Sequence, residues 1–176
     1  MVPMTSMGAV TFETALGRCA VRWSEMGIVR VLLPSERGLP GPAFEERARV
    51  PAFVRRAIEG MIVVMAGEAD DLGDVPLDDR GVDELRRAVY AETRRTPPGT
   101  TRTYGEIARA IGRPDGARDV GVALSRNPTP IIVPCHRVVA ANGALTGFSA
   151  PGGLATKRRM LELEGAPGYN QLQLFG

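Results

Sequence analysis

Short apolar runs and alternations dominate residues 8–33. Ala9 to Phe12, Gly17 to Trp23 and Gly27 to Leu33 read as three strands, with Gly and polar residues between them. Cys19 falls in the second strand and reads there as a small buried hydrophobe. Ser35 to Pro51 is rich in Gly, Pro and charge and reads as loop. From Phe53 to Met65 the apolar spacing becomes helical. An acidic stretch containing Pro76 follows and reads as a linker between two lobes, residues 1–80 and 81–176.

The second lobe opens with a helix over Asp83 to Arg95, carrying Leu85, Ala88, Val89 and Tyr90 on one face; Thr96-Pro97-Pro98-Gly99 ends it. Thr103 with Glu106 three residues on forms a capping box for a short helix, Tyr104 to Ile111. A turn over residues 112–116 leads to a second helix, Ala117 to Arg126. Helix, Gly-containing turn, helix is the outline of a helix-turn-helix. Ile131-Ile132-Val133 reads as a short buried strand, and Gly153 to Glu164 as a final helix.

The 176 residues suffice for a buried core, and 44% apolar with 24% charged residues is a globular balance. No apolar run approaches the roughly 20 residues of a membrane helix, and Met1 to Met7 lacks a secretory pattern. Two cysteines, Cys19 and Cys135, fit a reducing compartment. The expectation is a cytoplasmic protein, nucleoid-associated in a prokaryote, with no membrane partner. Net charge is only +2, but its distribution is uneven. Eight acids crowd residues 66–84 beside Arg80 alone, and residues 94–137 hold eight arginines against three acids. The basic segment suggests a polyanion, against the plainer reading of a solvated Arg-rich surface. The helix Ala117–Ser125 offers Arg118 and otherwise mainly small residues. Gly121 and Ala123 suit shape-driven binding in a narrow groove, or packing against a neighbouring helix.

The chemistry concentrates in Pro134-Cys135-His136-Arg137, where one of two cysteines adjoins the only histidine. The thiolate is the nucleophile, and a free thiol near pKa ~8.5 needs a base or a positive charge to become one. His136 and Arg137 are the residues at hand for that task.

Thr103 to Ala108, Ala117 to Gly121, Asn127-Pro128, Ile132 to Val139 and Gly143 to Phe148 closely resemble the O6-alkylguanine-DNA alkyltransferases, also called methylated-DNA–protein-cysteine methyltransferases. The resemblance covers residues 85–165 closely and the first lobe loosely. It implies an α+β fold: a ribonuclease H-like sheet and helix lobe, then a mostly helical lobe with a DNA-binding helix-turn-helix. Cys135 would accept an alkyl group from O6-alkylguanine, and also from O4-alkylthymine, irreversibly and once per molecule. His136 would deprotonate it through a water, Glu164 would orient His136, and Asn127 would brace the turn. Tyr104, Val138, Phe148 and Ser149 would hold the flipped base, and Tyr104 would also favour protonation of the departing guanine. Arg118, Ala117, Gly121, Thr103 and Arg113 would touch double-stranded DNA from the minor groove. The protein would act as a monomer, with cooperativity on DNA left open. No cofactor is implied. A structural zinc held by some relatives is not expected, since Cys19 is the only thiol outside the site.

Three departures stand out. Ser149-Ala150-Pro151 makes the rim two residues longer, Tyr90 stands where relatives often carry Trp, and Leu85 stands where they carry Phe. The last two read as core changes. The alternative function is a non-catalytic lesion-binding relative, which typically lacks the acceptor cysteine.

Overall fold

Two glycine turns set the register of the first sheet. The computed structural model describes residues 7–43 and 49–169. Strands β1 (Gly8–Thr14), β2 (Gly17–Ser24) and β3 (Gly27–Leu32) form an antiparallel meander in chain order. At the second turn Gly27 has φ 148, and a Cβ there would come within 2.7 Å of the Pro76 carbonyl oxygen. Glycine is therefore what lets the acidic segment lie against β3.

Helix α1 (Ala52–Met65) covers one face of the sheet. Its buried residues Val54, Ala57, Ile58, Met61, Val64 and Met65 keep i, i+3, i+4 spacing. They join Val10, Phe12, Val21, Trp23, Ile28 and Val31 in one core, which Ile131, Ile132 and Met160 from the second half of the chain complete. The acidic stretch connects the two halves but is no free tether. Leu72 and Val75 are buried in that core. Asp70 and Asp74 grip Arg56 of α1 at 2.8 and 2.9 Å, and Arg94 donates to the carbonyls of Leu72 and Val75.

The second half packs helices α2 (Glu84–Thr93), α3 (Tyr104–Ala110) and α4 (Ala117–Ser125) around Val89, Tyr90, Ile107, Val120, Leu124, Val133 and Val138. Asp83 caps α2, accepting the Arg86 amide at 2.9 Å. Thr103 caps α3, accepting the Glu106 amide at 3.1 Å. Tyr90 is buried in this core and Leu85, half-buried, packs against it; the Tyr90 hydroxyl donates to the Ala123 carbonyl at 2.8 Å. Two-residue strands β4 (Arg102–Thr103) and β5 (Val138–Val139) pair in parallel, and α5 (Gly153–Leu163) closes the fold. No described helix is long and apolar enough to cross a membrane.

One expected element is absent. Residues 131–133 are buried but turn rather than extend, and Ile131 sits at φ 72. Pro130 and Pro134 flank the three residues, and proline can neither donate to a ladder nor leave its predecessor free. A left-handed β-branched residue is strained by about 1–3 kcal/mol, which the surrounding core sustains.

Candidate active site

Cys135 opens a single turn of 3-10 helix, Cys135–Arg137. Pro134 ahead of it has φ −80 and ψ 65, and the Cys135 amide donates to the Val133 carbonyl at 2.8 Å, an inverse γ-turn. Asn127 fastens the approach from both sides. Its Nδ2 donates to the Val133 carbonyl at 2.8 Å, and its Oδ1 accepts the Thr129 amide at 3.0 Å. The sulfur is thus carried by a backbone with little freedom to move.

Burial pushes the Cys135 thiol up, and the Asn127 side chain and the Lys157 charge oppose that shift without cancelling it. The resting group is a thiol that needs a base. His136, fully buried, places Nε2 2.8 Å from Glu164 Oε1, while its Nδ1 has no hydrogen-bond partner. Burial also pushes the imidazole down, toward its neutral form, against the pull of Glu164. Burial works against the charge of Glu164 as well, but His136 and Arg137 overcome it and hold the carboxyl at about 2. The permanent guanidinium is the partner that keeps Glu164 ionised when the imidazole is neutral. An ionised acceptor on Nε2 makes that nitrogen the N–H donor and leaves the lone pair on Nδ1. A neutral ring with a free lone pair is fit to take a proton.

Arg137 does not face the thiol, contrary to the expectation from adjacency. Its Nε and Nη2 donate to Glu164 at 3.0 and 2.7 Å, and its Nη1 donates to the Thr96 carbonyl at 2.8 Å. The reason is local: successive side chains of a 3-10 turn diverge by about a third of a turn, so Cys135 and Arg137 point apart. The cation whose field reaches the sulfur is Lys157 of α5, which the sequence reading passed over. Lys157 is 1% exposed. Its Nζ donates to the Val138 carbonyl at 2.7 Å, the Thr146 carbonyl at 3.2 Å and the Tyr104 hydroxyl at 3.3 Å. One signal pointed to it: Lys157 is the only lysine among 22 basic residues.

Cys135 also lines a cavity of about 660 Å³ with Tyr104, Ala117, Arg118, Gly121, Phe148 and Ser149. Tyr104 donates its hydroxyl to the Thr146 carbonyl at 2.8 Å, and Ser149 donates to the Ser125 carbonyl at 2.7 Å, so α3 and α4 each hold one side of the 146–149 rim. Arg118 is exposed on α4 and has no ion-pair partner among the described residues. The remaining expected residues lie elsewhere. Val138 is fully buried with its carbonyl on Lys157; Thr103 serves as the α3 cap; Arg113 is exposed in the turn between α3 and α4. His136 and Glu164 are buried and do not line the cavity. Among the described residues no group of three or more His, Cys, Asp or Glu could hold a metal.

A family model described as "6-O-methylguanine DNA methyltransferase, DNA binding domain" matches residues 84–166. The chain is 46% identical over 156 residues to the methylated-DNA–protein-cysteine methyltransferase of Methanosarcina acetivorans, covering 88% of this chain and 96% of that protein. It is also 46% identical over 125 residues to the protein of that name from Mycobacterium tuberculosis, covering 71% and 73%. The M. tuberculosis OGT solved in complex with DNA superposes with a TM-score of 0.72 at 35% identity, covering 96% of this chain and 99% of that one.

Proposed function

The chain belongs to the methylated-DNA–protein-cysteine methyltransferase family, and from that premise we propose that Cys135 takes an alkyl group from O6 of guanine in duplex DNA onto its own sulfur. The observation that carries this reading is the double placement of Cys135. Its thiol lines a cavity large enough for a base, and the adjoining ring is a neutral imidazole backed by an ionised, guanidinium-held carboxylate.

The step balances without a further reactant. The thiol proton passes to His136 Nδ1 through a bridging water, and the thiolate attacks the alkyl carbon. An S–C bond forms, the C–O6 bond breaks, and the electron pair leaves with guanine, which takes up a proton from solvent beside Tyr104 while His136 returns the thiol proton to solvent, so no proton is gained or lost overall. The thioether has no good leaving group, so one molecule repairs one lesion. An alkyl group on O4 of thymine presents the same electrophilic carbon and is a second substrate.

The alkylated base must leave the stack to reach the sulfur. Helices α3 and α4 with the turn between them act as a helix-turn-helix that docks in the minor groove. Arg118, at the mouth of the cavity, fills the gap in the stack, and Ala117 and Gly121 let the helix approach closely. Thr103 and Arg113 flank that contact. Tyr104, Phe148 and Ser149 hold the base, with the Val138 backbone behind them. The ribonuclease H-like lobe over residues 1–80 supports the lobe over 81–176, and the protein works as a monomer. A non-catalytic lesion binder fits less well, because the acceptor thiol and its base are both present.

Intact-mass spectrometry after incubation with a duplex carrying one O6-methylguanine tests the reading. The protein gains the mass of one CH2, located on the Cys135 peptide, with a plateau at one per molecule. An unmodified peptide, or repair of many lesions per molecule, sinks it.

A further inference from the structure

A second cavity, of about 610 Å³, shares Leu124, Ser125, Cys135, Phe148 and Ser149 with the first. Its wall carries four arginines, Arg22, Arg30, Arg37 and Arg126, and no acid. All four are exposed, and none forms an ion pair among the described residues.

The arrangement is costly as it stands. Arg22 of β2 is the register partner of Arg30 of β3, so two guanidinium groups share one stretch of sheet. Like charges directly opposite each other destabilise an antiparallel pair. The same strand avoids this at its other end, where Arg18 faces Glu13 and pairs with it at 2.6 Å. Arg56, Arg80, Arg86, Arg87 and Arg102 likewise have acidic partners. At the groove, by contrast, four arginines unpaired among the described residues share one wall with no acid beside them. Arg126 is the C-cap of α4, the helix that bears Arg118, so the groove continues the basic edge of that helix onto the sheet.

We propose that this groove is a phosphate-binding surface: Arg22, Arg30 and Arg126 hold the sugar-phosphate backbone flanking the flipped nucleotide and extend the DNA contact from α4 to the N-terminal sheet. The inference rests on the DNA reading of the Cys135 site. Phosphate oxygens supply the negative charge that the Arg22–Arg30 pair lacks, and each contact releases condensed counterions.

The test measures duplex affinity against salt. The wild-type protein is titrated first, and absence of salt-dependent duplex binding there overturns the DNA reading itself. With wild-type binding in hand, Arg22→Ala with Arg30→Ala lowers the slope of log K against log[salt] by about 2, close to 0.9 per lost phosphate. The control Arg18→Ala with Arg87→Ala removes equal charge from two arginines paired elsewhere and leaves the slope at its wild-type value. Arg30→Glu places a carboxylate opposite Arg22, so it raises the melting temperature while weakening duplex binding. An unchanged slope in the double variant, an equal loss in the control, or a more stable Arg30→Glu protein with undiminished affinity overturns the proposal.

Discussion

Arg137 grips Glu164 with its Nε and Nη2, the shorter bond 2.7 Å, and so fixes the charge of the carboxylate that holds His136. The guanidinium is 3% exposed and the carboxylate is fully enclosed. Removing one member of such a pair strands the other charge in a place that water does not reach. Arg137→Met is therefore expected to cost about 3–5 kcal/mol of stability and to slow alkyl transfer in whatever fraction folds. Urea denaturation and single-turnover transfer read the two effects; a stable, fully active variant contradicts the coupling.

His136 and Glu164 give stability a defined pH dependence. Burial lowers the His136 pKa in the folded state, while the unfolded ring titrates near ~6.5. Below that value the unfolded chain binds a proton that the native chain refuses, so stability falls with falling pH by up to about 1.4 kcal/mol per unit. Glu164 behaves likewise at lower pH. Its contribution is present above the ordinary carboxyl value near ~4.3 and is lost as pH falls toward about 2. Urea midpoints at about pH 8 and about pH 5.5 should separate for the wild-type protein and converge for His136→Gln. Equal separation in both proteins assigns the dependence to other groups.

Cys135→Ala should abolish transfer and leave duplex affinity close to wild type, because Cys135 is only 9% exposed and contributes little surface of its own. Fluorescence anisotropy with a labelled duplex checks it. Loss of binding together with transfer would make Cys135 a structural residue.

Arg118 lines the mouth of the cavity with no acidic partner among the described residues. Arg118→Ala should slow repair of duplex DNA by a larger factor than reaction with free O6-benzylguanine, which requires no base to leave a stack. Equal slowing on the two substrates removes the stacking role.

Lys157 ties the Val138 and Thr146 carbonyls and the Tyr104 hydroxyl to one buried ammonium. Lys157→Met keeps the bulk but takes the ammonium from the buried Val138 carbonyl, at about 1–3 kcal/mol, while the Thr146 carbonyl keeps only the Tyr104 hydroxyl. Amide exchange over residues 144–148 should accelerate, and the Cys135 thiol should react more slowly with iodoacetamide as it loses the nearby charge. Unchanged exchange places the strength of that rim elsewhere.

The strands of the first sheet and helix α1 were legible because each carries apolar positions at one period, and α3 because Thr103 and Glu106 cap it. Ile131 to Val133 misled because three apolar residues carry no period, and only the flanking prolines marked the turn. Adjacency in the chain misplaced Arg137, since the direction of a side chain in a 3-10 turn is not written in its neighbours. Lys157 lies far from Cys135 in the chain, and only tertiary packing brings its charge near the sulfur. The acidic stretch read as a connector, but its anchoring by Arg56 and Arg94 depends on partners 14 and 22 positions away.

The two-rung parallel pairing of β4 with β5 acts as a ruler. Thr103 is paired with Val139 and immediately precedes Tyr104, while Val138 immediately follows the turn that holds Cys135. The interval between the main chain that carries Tyr104 and the turn that carries Cys135 is therefore set by backbone bonds rather than by the cavity's own side chains. Insertions at the 149–151 rim can widen or narrow the mouth, and so alter which alkyl groups enter, while the spacing of the two backbone anchors stays constant.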